Sequence, residues 1–242
     1  MNAPRTASNF GPAFGPESGN MIFIILLAIV LVGLVTAALR NSGLEMAGID
    51  REEVIIRTSQ VRQHAAEIER GVSYALQNGL SEADISFAHP DAPSAYGTYG
   101  TTPAAEVFNP AGGGATWRNP PAGLSSGSGV YGWEFYGTTA IPGAGTDRAD
   151  LVAVLSNVSE AFCTKINEMN EQSGPPVDDG TCFFTGTTGQ FSPVAPPGSP
   201  FPSTPNTMNS GSFSKLPALE ACVRCGNAST DPLHFYHVLL VR

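Results

Sequence analysis

Charge is scarce in this chain of 242 residues. Asp, Glu, Lys and Arg make up 14% of it, against roughly 25% in an average soluble domain. Lysine is nearly missing, with only Lys165 and Lys215 present. Acidic residues outnumber basic ones by 21 to 12, so the net charge is -9. A chain of that sign repels phosphate, which excludes nucleic acid as a partner. Low charge combined with a 42% hydrophobic fraction also excludes a coiled coil and a charge-driven disordered chain. No internal repeat with a period of 20–50 residues occurs, so the chain is not a solenoid. No catalytic constellation emerges either. The expectation is a protein that is not an enzyme and needs no cofactor and no metal.

What is abundant is glycine and proline, 27 and 20 residues, together about a fifth of the chain where roughly 12% is ordinary. The other conspicuous feature is an uncharged run over residues 21–39, MIFIILLAIVLVGLVTAAL, in which Thr36 is the one conventional polar side chain. At 1.5 Å per residue a helix of that length reaches about 28 Å, close to the thickness of a bilayer core. The expectation is a transmembrane helix. A cleaved secretory signal fits less well, because its apolar region is usually shorter and closely preceded by basic residues, and Arg5 is the only one here.

Residues 1–19, MNAPRTASNFGPAFGPESG, are polar and rich in glycine and proline, and they end on Gly19 just before Asn20 and the apolar run. A short polar leader, a glycine and then a long apolar helix resembles a type IV prepilin or pseudopilin. The resemblance covers roughly residues 15–80. It implies cleavage between Gly19 and Asn20 by a prepilin peptidase. It also implies an N-terminal helix over 20–40, with Met21, Phe23, Ile24, Leu27, Leu31 and Leu34 in the core of a filament. The sequence departs from the family pattern at the fifth position after the cut, where Ile24 replaces the usual glutamate, and the departure points to a minor or atypical subunit.

After Arg40 the triplet Asn41-Ser42-Gly43 marks a break. Asp50 then reads as an N-cap with Glu53 three residues on. Val54, Val61, Ala65, Ile68, Val72 and Leu76 follow at helical spacing, which predicts an amphipathic helix within 41–80. It stops near Asn78-Gly79. Arg57, Arg62, Glu67 and Arg70 occupy its opposite, solvated face, and His64 sits at the boundary.

Residues 81–242 read as an α+β head. Val107-Phe108 and residues 130–136 have the aromatic and β-branched content of strands. Leu151, Val154, Val158, Phe162, Ile166 and Met169 predict a second helix over 150–171. Residues 173–217 form a Pro/Gly/Ser/Thr loop. Residues 234–241 are apolar on both faces, which predicts a central strand at the end of the chain. The expected fold is thus an N-terminal transmembrane helix extended by an amphipathic helix and packed on a small antiparallel sheet, the plan of a pilin.

Four cysteines, Cys163, Cys182, Cys222 and Cys225, point to disulfides in an oxidising compartment. Cys163 with Cys182 and Cys222 with Cys225 is one pairing, and crossing the two pairs is equally allowed. A zinc site of Cys222, Cys225, His234 and His237 is disfavoured, because strand residues three apart point to opposite faces. Gly123-Leu124-Ser125-Ser126-Gly127 fits G-x-S-x-G but lacks the strand and helix that a nucleophile elbow needs. Gly143-Ala144-Gly145 reads as a loop capping the second helix, and Asp178-Asp179-Gly180 as a turn rather than a calcium loop.

The resemblance therefore implies a structural subunit of a type IV pilus-like filament or secretion pseudopilus. Its partners would be membrane lipid, prepilin peptidase, further copies of itself and other pilin-like subunits in a helical filament. It would sit in the bacterial inner membrane with a periplasmic or extracellular head, and on the cell surface once assembled. The alternative is a single-pass envelope protein whose head is a binding module of a secretion or conjugation machine.

Overall fold

The computed structural model describes residues 18–41, 44–125, 132–183, 191 and 200–242, with side chains at 22–34 and from 51 onward among these. Most of the expected leader, Ser126 and much of the loop 173–217 lie outside the described residues. The chain divides into two compact units, Met1–Arg51 and Glu52–Arg242.

The first unit contains helix α1, Ser18–Asn41, and the start of α2, Leu44–Gln77. The expectation of a transmembrane helix is corrected: among the described residues no helix is long and apolar enough to cross a membrane. Asp50 lies inside α2 rather than capping it, because the helix begins six residues earlier.

In the second unit α2 has one buried stripe. Val61, Ala65, Ile68 and Val72 recur at three- and four-residue steps, and all four are buried. The helix ends in a Schellman motif, with Leu80 N donating to Ala75 O and Gly79 N to Leu76 O. Gly79 takes φ +88°, a conformation that favours glycine.

The segment after α2 is held by loops and short 3-10 turns. Val107 and Phe108 are buried in the core, but they form no strand, and only an isolated bridge joins Ser86 to Glu106. The reason is local. The buried Glu106 carboxylate accepts from Gly100 N, Thr102 N and Asn109 Nδ2, which curls the chain around it.

Strand β1, Trp133–Ala140, takes up the described end of the strand expected over 130–136, of which 130 and 131 lie outside the described residues, and it is followed by β2, Asp150–Leu155. The helix predicted over 150–171 is corrected to β2 and a shorter α3, Glu160–Met169. All six residues of β2 are buried, so its apolar run serves two faces of a sheet, as in a fully covered strand. Asn157, at φ +53°, breaks the run before Ser159 starts the helix. Gly143 and Gly145 therefore sit in the β1–β2 connection and cap nothing.

Two short strands, β3 (Val177–Asp178) and β4 (Asn206–Thr207), precede β5, Glu220–Cys225, and β6, Leu233–Leu240. The six strands form one sheet in the order β3-β5-β6-β2-β1-β4. The β1/β2, β2/β6 and β5/β6 pairs are antiparallel, while β3 joins β5 and β4 joins β1 in parallel. The fold is therefore mixed α/β with a six-stranded mixed sheet, and the expected small antiparallel sheet on a membrane helix is corrected. The last strand does lie in the middle of the sheet, between β5 and β2.

The sheet is covered on both faces. Trp133, Phe135, Leu151, Ala153, Leu155, Cys222, Leu233 and Phe235 face α2 and α3 in one apolar cluster. Tyr136, Val152, Val154, Ala221, Val223, Tyr236 and Val238 face the opposite way, under Phe183, Met208 and neighbouring loop residues. Phe87 stacks on Phe135 with ring centroids 3.9 Å apart, which ties the loop region to the helix-side core.

Candidate functional site

Among the described residues, helix α1 carries a long run of exposed large apolar side chains. Eleven large apolar side chains between Ile22 and Leu34 are 50–64% exposed. They surround the whole helix rather than one stripe. Phe23, Ile24, Leu27, Leu31 and Leu34, predicted from the resemblance to lie in a filament core, are all among them. Met21, Gly19 and Asn20 belong to the same helix, but their side chains are not among those described. Soluble monomers rarely expose more than a few hundred Å² of continuous apolar surface. Fully burying one Leu, Ile or Phe contributes about 1.5–3 kcal/mol. With no charged side chain over 22–34, association through this surface would be driven by the hydrophobic effect.

The head contains a second concentration of function-bearing groups, built on a cross-strand pair. Glu220 on β5 stands opposite His237 on β6. His237 Nδ1 is 3.0 Å from Glu220 Oε2, and its Nε2 is 2.9 Å from Glu69 Oε2. A carboxylate facing each ring nitrogen requires both nitrogens to be protonated, so the ring is an imidazolium. Burial alone would lower its pKa; the hydrogen bonds and charges of Glu220 and Glu69 outweigh burial and lift it to about 9.

Glu220 has further partners. Asn170 Nδ2 donates to its Oε1 over 2.9 Å. Arg62 Nε lies 2.7 Å from the same oxygen, close enough for an ion pair although off the hydrogen-bond line. Burial raises the Glu220 carboxyl, but His237, Asn170 and Arg62 together hold it below the usual range. Arg62 and Glu69 stand two turns apart on α2, so one edge of the helix meets the β5–β6 pair. The cluster contains no nucleophile, and its chemistry is that of a clamp.

The cysteines form two bridges, Cys163–Cys222 and Cys182–Cys225, and no described cysteine is free. The first ties α3 to β5 on the helix side of the sheet. The second ties the loop to the other side. Cys222 and Cys225 are three apart on one strand and point to opposite faces, so they do not bond to each other. The same alternation puts His237 on the helix side and His234 on the loop side. His234 is buried with Nδ1 unpartnered, and burial lowers its pKa to about 4.

Asp178 spends its carboxylate on backbone donors, Cys182 N at 2.8 Å and Asn209 N at 3.0 Å. It is a turn anchor. Ser125 bridges to Val158 outside any named strand, without the strand–turn–helix frame of a nucleophile elbow.

Sequence reasoning missed the His237 cluster. Helical spacing puts Arg62 on a solvated face, and nothing in the sequence pattern singles out Glu220 or Glu69. The available signal was a histidine in a two-sided apolar strand, which needs partners if charged. His64 is likewise buried rather than at a boundary, with Nε2 3.0 Å from Thr116 O. Comparison with protein-family models, with curated proteins and with solved structures finds no match to this chain.

Proposed function

We propose that the protein is a structural subunit of a filament or envelope assembly of the type IV pilus or secretion-pseudopilus kind, in which α1 packs against the α1 helices of further copies. The observation that carries this reading is the bare apolar surface of α1 over residues 22–34. The two disulfides support placing the head in the periplasm or outside the cell, since such bonds persist in oxidising compartments. The Gly19-Asn20 junction supports release of the leader by a prepilin peptidase.

The test places a photo-reactive residue at Leu27 or Leu31 of the full chain in its native cells. The expected product is a ladder of whole-chain multiples. The same probe at Ser73, on the exposed side of α2, should give none. Crosslinks that join α1 only to unrelated proteins, or no crosslinks at all, would sink the reading. Mass spectrometry of the native chain is expected to find a mature amino terminus at Asn20, and an intact Met1 would remove the peptidase from the account.

A further inference from the structure

A cleft of about 320 Å³ lies in the head between α2 and the extended segment 118–121. That volume falls inside the roughly 300–1,000 Å³ in which proteins hold small ligands. Its polar lining comes from Gln60, Gln63, His64, Arg118, Asn119 and Trp133. Its apolar lining comes from Val61, Pro120 and Pro121. Nothing in the reading of α1 as an assembly element uses this cleft.

We propose that the cleft binds a neutral, hydroxyl-rich ligand of one or two sugar units. The argument begins with charge. Arg118 is the one permanently charged group among the described lining residues, and its Nη2 is 3.1 Å from Glu67 Oε2. Glu67 also accepts from Thr116 N, so the pair is held in place. His64 donates from Nε2 to the Thr116 carbonyl, which leaves Nδ1 as an acceptor on an uncharged ring. Burial, which lowers its pKa, keeps that ring neutral. The cleft therefore has no uncompensated charge with which to select an ion.

Its free polar groups suit hydroxyls. The amides of Gln60, Gln63 and Asn119 each offer donors and an acceptor, and among the described residues none has a hydrogen-bond partner. A hydroxyl group, which both donates and accepts, matches that inventory. Trp133, only 3% exposed, closes the floor of the cleft and reports on its occupancy. The two prolines and Val61 provide the surface that the C–H faces of a sugar ring would cover.

An extended peptide is the less suitable occupant. Strand addition beside Trp133 is blocked, because the neighbouring outer edge of β1 is already used. Phe135 N donates to Tyr96 Oη over 2.9 Å, and Phe135 O accepts from Phe191 N over 2.7 Å.

The experiment uses the full chain and isothermal titration with glucose, galactose, mannose, N-acetylglucosamine, maltose and lactose. A Trp117→Phe form, in which Trp133 is the sole tryptophan, is followed in parallel by indole emission. The expected result is saturable binding of at least one of these sugars with a matching change in Trp133 emission. The double variant Gln60→Ala, Gln63→Ala should weaken it at least tenfold, about 1.4 kcal/mol. Both substitutions are at exposed helix positions where alanine is well tolerated, so the melting temperature should stay unchanged. No saturable response to any of the six sugars overturns the proposal. So does binding that survives the double variant, or a response to a proline-rich peptide alone.

Discussion

Replacing Cys163 and Cys222 together by alanine is expected to cost the head about 4 kcal/mol. The bridge spans 59 residues of sequence and joins α3 to β5. On the chain-entropy account, closing a loop of that length removes about 4 kcal/mol of unfolded-state freedom. For a unit the size of Glu52–Arg242, each kcal/mol shifts the melting temperature by roughly 2–4 °C. The melting temperature should therefore fall by roughly 8–16 °C. Both cysteines are fully buried in the helix-side cluster, so the alanines also leave a small void that adds to the loss. The Cys182–Cys225 bridge spans 43 residues and has a similar entropic value. Its loss should also free the loop that covers the other sheet face. Differential scanning calorimetry of the two double variants, with non-reducing peptide mapping of the wild type, decides the matter. A melting temperature within a few degrees of wild type, or a mapped Cys222–Cys225 peptide, would contradict the account.

The stability of the head is expected to peak near pH 6.5 and fall on both sides. His237 has a folded pKa of about 9 against an ordinary 6.5. A raised value contributes stability that is complete below 6.5 and is lost as pH climbs to 9. The gap corresponds to about 3 kcal/mol, reduced by the share of Glu69 that water screens. His234 behaves in the opposite way. Burial lowers its pKa to about 4, so its neutral ring fits and its charged ring does not. Stability is complete above 6.5 on its account and declines as pH falls to 4, again by about 3 kcal/mol. Glu220, held below its ordinary 4.5, adds to the acid loss as it becomes protonated. Urea unfolding across this range should therefore give a bell. His237→Gln should flatten the alkaline side, and His234→Leu the acid side. An alkaline decline that persists in His237→Gln would show that the clamp does not cause it.

Helix α2 and strand β6 were readable because each keeps one pattern along its length, a single helical stripe in α2 and an unbroken apolar run in β6. Val61, Ala65, Ile68 and Val72 keep helical spacing against a single core. Residues 234–241 are apolar on both faces, and the strand they form lies between two others. Residues 150–171 misled for the opposite reason. Leu151, Val154 and Val158 match a helical stripe by coincidence, while the first six residues are in fact a strand buried on both faces. Short apolar runs carry no period of their own that separates helix from strand. Asn157, in a left-handed conformation, decides where one element stops.

The site was legible only in part. The bare residues of α1 follow directly from an uncharged run that no amphipathic pattern could seat on a core. The His237 clamp was not legible, because it joins positions 62, 69, 170, 220 and 237, which only folding brings together. The cleft beside Trp133 likewise joins α2 to a segment more than fifty residues later.

By itself the sequence determined the local elements with strong periods, the acidic and lysine-poor composition, and the presence of four pairable cysteines. Those properties depend on neighbours in the chain and on side-chain chemistry alone. The tertiary structure decided the strand order, the crossed cysteine pairing and the charge state of His237. Each depends on which face of a strand meets which element. A one-residue change in register would reverse every one of those faces.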